Sequence, residues 1–148
     1  MAQMGESDAD DLLREHGRAL AEAIIDAIPT WVVRCVVTRG GPIGDAEQAG
    51  ADAAAAVAPR LRALLTADVD DQRANPLAIV RDAVAYPTRV LERAGVPPPH
   101  RSRFDAEHFP EDPYGLVPMT WRDVDESLHE PGLLWGALKA RVHKDRHR

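Results

Sequence analysis

Between positions 104 and 112 the chain reads Phe104-Asp105-Ala106-Glu107-His108-Phe109-Pro110-Glu111-Asp112, which sets two carboxylates and an imidazole within four residues, with two more acids just after. Oxygen and imidazole groups this close could hold a divalent cation or act as general acid and base. On that reading the candidate ligands are Asp105, Glu107 and His108. Their spacing matches neither the calcium-loop pattern nor the paired-histidine zinc helix. The simpler expectation is structural: the acids accept backbone N–H groups and pair with Arg101 and Arg103, while the rings of Phe104 and Phe109 anchor the segment.

The other chemistry-bearing residues are more scattered. Six histidines, His16, His100, His108, His129, His143 and His147, share no ligand spacing, and His108 meets His129 only if the intervening segment folds back. Ser7, Ser102 and Ser127 lack the Gly-x-Ser-x-Gly elbow of a serine nucleophile. Cys35 sits among valines, where desolvation raises the thiol pKa and makes it inert. Gly40-Gly41-Pro42-Ile43-Gly44 has no lysine to complete a phosphate loop. No catalytic constellation emerges and no cofactor is expected; an enzyme or ligand binder centred on Asp105, Glu107 and His108 is kept as the alternative.

Two surface features remain. The C-terminus carries Lys139, Arg141, Lys144, Arg146 and Arg148 against Asp145, a charge set that suits phosphate or an acidic protein surface. Cations there also complement a helix C-terminus, and docking onto the chain's own acidic half is an equal expectation. The second feature is aromatic: Phe104, Phe109, Tyr114, Trp121 and Trp135 cluster in the second half of the chain, with Trp31 apart from them. Packed inward these rings would fasten the segment to a core, and any left open would form a docking surface.

The elements that must position these groups follow from composition and pattern. The 148 residues are 45% hydrophobic but only 5% aromatic, which favours close-packed helices. The net charge of -6 lies wholly in residues 1–74, whereas residues 75–148 carry equal numbers of acids and bases. This disfavours broad attraction to nucleic acid or an anionic membrane. A single cysteine excludes an intramolecular disulfide, the first residues lack the pattern of a secretory signal, and no run is apolar enough to span a bilayer, so a cytoplasmic protein with no membrane association is expected.

Apolar residues at three- and four-residue steps predict a helix over about Ala9–Ile28, stopped or restarted by Pro29. Trp31–Thr38 is rich in β-branched residues, yet no second strand exists to pair with it, so helix is expected there too. A break at Gly40-Gly41-Pro42 leads to an alanine-rich helix capped by Asp45 and running to about Ala67, kinked or divided by Pro59. Asp68–Arg73 is a polar connector. Asn75-Pro76 opens a helix to Ala94, interrupted by Pro87 and ended by Gly95 in a left-handed conformation. Six prolines between Val96 and Met119 exclude regular structure over most of that span. Its rings argue against disorder and for an arm packed on a surface.

Thr120 and Asp123 form a capping-box pair for a short helix over Trp121–Leu128. A last helix begins at Glu130-Pro131, with Leu134, Ala137, Leu138 and Val142 on one face. The expected fold is therefore all-α: a bundle of four to six helices divided into a helical body (1–95), a proline-rich extended arm (96–119) and a terminal helical hairpin with a basic tail (120–148). The expected role is a protein-interaction or regulatory module whose arm engages a protein partner or a second copy. A nucleic-acid-associated factor using Lys139, Arg141, Lys144 and Arg146 is the further alternative.

Overall fold

The computed structural model describes residues 6–66 and 75–147, so the polar connector Asp68–Arg73 and the terminal Arg148 lie outside the described residues. Its elements are α1 (Glu6–Val37), α2 (Ile43–Leu65), α3 (Pro76–Asp82), α4 (Ala85–Arg93), α5 (Arg103–His108), α6 (Trp121–Val124), a 3₁₀ turn (Glu126–Leu128) and α7 (His129–Arg146). Among the described residues there is no strand, and the all-α expectation holds.

The framework is the antiparallel pair α1 and α2. Leu20, Ile24 and Ile28 of α1 and Ala46, Ala53, Val57, Leu61 and Leu65 of α2 are all buried in one apolar cluster. Two glycines set how closely the helices approach. A Cβ on Gly50 would lie 2.9 Å from both the Cα and the carbonyl oxygen of Pro29, and one on Gly17 would lie 2.1 Å from the carbonyl oxygen of Leu65. Backbones meet at both ends of the pair, which only residues without a side chain permit. Arg62 and Glu22 add an exposed ion pair at 2.7 Å, and the guanidinium holds the Glu22 carboxyl below its ordinary pKa.

One expectation needs correction here. Pro29 neither ends α1 nor starts a new helix, because α1 runs unbroken to Val37. An interior proline costs roughly 3 kcal/mol. Continuing the helix buries Trp31, Val32, Cys35 and Val36, and at roughly 1.5–3 kcal/mol for each large apolar side chain this outweighs the cost. Residues 31–37 are thus helical, as the absence of a strand partner predicts. Pro59 does not divide α2 either; both it and Ala55, whose carbonyl it deprives of a donor, are on the exposed side.

Pro87 does break its helix, and the place of the break is informative. The chain turns at Ala83-Val84, between α3 and α4. Ala83 is four residues before Pro87, where the ring would clash with a helical carbonyl, so the proline occupies the first turn of α4 and displaces no bond. Asn75 caps α3 through its side chain, 3.0 Å from the Leu77 N–H, and Gly95 ends α4 at φ +73°. The expected Asp45 cap does not form: α2 starts at Ile43 with Pro42 at its N-cap, and Asp45 sits in its first turn.

The C-terminal segment lies antiparallel along α1. Near the end of α1, Arg34 donates to the carbonyls of Val124 and Asp123 at 2.7 and 3.2 Å. Farther back, Trp135 covers Gly17, its Nε1 3.5 Å from where a Cβ would stand. At the start of α1, Arg146 meets Asp10 at 2.6 Å. The inward stripe of this segment is Leu128, Gly132, Trp135 and Val142. The expected face of α7 is therefore corrected: Val142 and Leu138 face inward, whereas Leu134 and Ala137 are exposed. The bulk of Trp135 against Gly17 sets the rotation of the helix.

Candidate interaction surface

Polar groups hold residues 96–119 in shape and join them to the body through Arg81. Tyr114, only 3% exposed, donates its hydroxyl to the Val96 carbonyl at 2.6 Å and ties the two ends of the segment together. Arg101 gathers the carbonyls of Phe109 and Asp112 at 2.7 and 3.0 Å. Asp112 is buried, and its two carboxylate oxygens accept the N–H groups of Leu116 at 2.7 Å and Val117 at 2.9 Å. From α3, Arg81 donates to the Pro118 carbonyl at 3.1 Å. Arg101 was expected to pair with carboxylates; it bonds carbonyls, because the turn after α5 converges several of them on one point.

Within this fastened segment the proline-free window between Pro99 and Pro110 forms α5. Ser102 caps it, accepting from the Asp105 N–H at 3.1 Å. No residue of α5 is buried. Phe104 is therefore not an anchor, as expected from its ring, but is 61% exposed. Its ring stacks on His108 at 3.9 Å between centroids, and His108 Nδ1 lies 2.9 Å from the Phe104 carbonyl oxygen. Glu107 pairs with Arg103 at 2.9 Å along the same short helix. The outcome is an aromatic knob held by its own helix, flanked by Asp105, Glu107 and Glu111, all exposed.

An open cleft of about 510 Å³ separates this region from α3 and α4, lined by His108, Phe109 and Asp112 on one side and Arg81, Asp82 and Val84 on the other. A second, of about 550 Å³, lies between Thr38-Arg39 and the run Val96, Pro97, Pro99, with Tyr114 at its base. Arg81 and Asp82 escape local sequence reasoning because nothing in their neighbourhood marks them; only the folding of the arm over α3 brings them beside the acidic run. Asp82 is itself paired with Arg60 at 2.8 Å. Among the described residues, no three His, Cys, Asp or Glu side chains gather as a metal site.

The remaining candidates divide between packing and exposure. Tyr114 and Trp135 are buried; Phe109 is half-buried; Trp121 is half-buried with its indole over Gly132, where an added Cβ would come within 2.4 Å of the ring. Of the five rings, Phe104 alone is largely exposed. In the basic tail, Arg146 is engaged by Asp10 and the Lys139 ammonium lies 5.2 Å from the Trp135 ring centroid. Docking of the tail on the acidic first half thus includes the Arg146–Asp10 ion pair, and Arg141 and Lys144 are the exposed cations of the four. Burial pushes the Cys35 thiol up to about 11, against the weaker opposing pull of Arg39 and Arg34.

No helix among the described residues is long and apolar enough to cross a membrane. Comparison of the chain with protein-family models, with curated proteins and with solved structures finds no match.

Proposed function

We propose that this protein is a helical interaction module whose arm recognises another protein through the Phe104–His108 knob. The supporting observation is the contrast within one segment: Tyr114, Asp112 and Leu116 are buried, whereas α5 buries nothing and holds a stacked ring pair in solvent. A large exposed ring costs free energy in water, and a stacked pair on a capped helix has already lost most of its freedom, which lowers the entropy cost of docking. Aromatic anchors of this kind dominate the energy of protein interfaces.

The test is quantitative capture from cells of the source with the full-length chain as bait. Replacing Phe104 by Ala should leave the melting temperature unchanged and weaken capture at least tenfold, as loss of a hot-spot ring does. Retention of every captured species by the Phe104→Ala protein would overturn the proposal.

A further inference from the structure

We propose that the knob of one copy docks on the outward face of α7 of a second copy. The inference rests on the reading of the arm as a recognition element and gives that element its partner. It starts from α7, where the inward stripe through Trp135 and Val142 leaves Leu133 56% exposed and Leu134 45% exposed. Ala137 continues that outward face, and Arg141 and Lys144 follow one and two turns later, all three exposed. What α7 offers to a neighbour is an apolar patch with Glu130 on its N-terminal side and the two cations on its C-terminal side.

The surface around Phe104 is its complement. A ring suited to an apolar patch lies beside Asp105 and Glu111, whose charge opposes that of Arg141 and Lys144, while Glu107 is held by Arg103. The exposure of Phe104 and of both leucines means that they do not cover one another within a chain. Between chains, the ring of one molecule covers the leucines of the next while the carboxylates approach the cations, which favours encounter and fixes orientation. Knob and patch are different surfaces, so the contact is head-to-tail and either closes a ring or continues as a chain.

This geometry predicts an unusual mixing behaviour. Sedimentation velocity of the untagged full chain, from about 5 to about 500 μM, spans the micromolar affinity of a contact built on one ring and two leucines. The mass should rise with concentration above the 16.2 kDa of one chain. Phe104→Ala and Leu134→Asp should each stay at the single-chain mass with unchanged melting. Mixed in equal amounts they should form a one-to-one pair and nothing larger, because one supplies an intact patch and the other an intact knob. Salt and Arg141→Glu should both weaken association.

A wild-type chain that stays at single-chain mass throughout, a single variant that associates as wild type does, or a mixture that fails to pair would each overturn the inference. If the chain does not self-associate but Phe104→Ala still abolishes capture of another protein, the inference fails while the proposed function stands. Self-association that survives Phe104→Ala removes the inference, and retention of every captured species by that variant removes the proposed function with it.

Discussion

Replacing Gly17 and Gly136 by alanine, one at a time, should have effects of opposite sign, although both lie inside helices of the same chain. Helix propensity alone favours each change by roughly 0.5–1 kcal/mol. At Gly136 a Cβ would meet no atom within 4 Å, so that gain should appear in full. At about 2–4 °C per kcal/mol for a chain of this length, Gly136→Ala should melt roughly 1–4 °C higher. At Gly17 the Cβ would stand 2.1 Å from the Leu65 carbonyl oxygen and 3.2 Å from its carbon. Relief requires the last turn of α2 to move by about 1 Å, and that turn carries the buried Leu61 and Leu65. Overpacking of this kind costs about 1–3 kcal/mol or more, and against a backbone atom the upper end applies. The net loss should be about 2 kcal/mol, a fall of roughly 4–8 °C. Thermal and urea melts followed by circular dichroism at 222 nm measure both. A Gly17→Ala protein as stable as wild type, or more so, would refute the close backbone approach of α1 and α2 as the framework of the fold.

Two further predictions concern the arm and the core. Asp112→Asn should weaken the two bonds that hold Leu116 and Val117; at about 1.5–3 kcal/mol for charge-assisted bonds, hydrogen exchange at those two amides should quicken by at least tenfold while α1 keeps its protection. Unchanged protection there would show that the carboxylate does not fasten the arm. Cys35 has a raised folded pKa, so its contribution to stability is fully present below the ordinary thiol value of 9.0 and is lost as pH rises towards about 11, since the unfolded thiol ionises first. Between those values the stability of the wild-type chain should fall by about 2–3 kcal/mol more than that of Cys35→Ala. Parallel pH curves from urea unfolding of the two proteins would contradict the burial of the thiol.

Much of the fold is legible where the signal is local. Asn75-Pro76 opens α3, Thr120 and Asp123 form their capping box, and Gly95 takes the left-handed turn. Each of these is decided by side-chain groups within three residues of the backbone they satisfy, so the sequence carries both partners. The acidic run is legible as a feature but not as a division of labour. Asp112 becomes a buried staple while Asp105 and Glu107 remain in solvent, a difference set by where the arm turns back on itself.

The sequence by itself determined that the chain is helical and where most helices start and stop, because alanine-rich and apolar-periodic stretches, caps and prolines act over one or two turns; the helix α5 inside the proline-rich arm was not foreseen. Only the tertiary structure decided that α1 passes through Pro29, that α7 turns Trp135 rather than Leu134 inward, and that Arg146 meets Asp10 across 136 positions. Those outcomes depend on burial against distant partners. The free energy of covering a tryptophan or of closing two helices over glycines exceeds the local preference of any single residue, so the wider packing prevails.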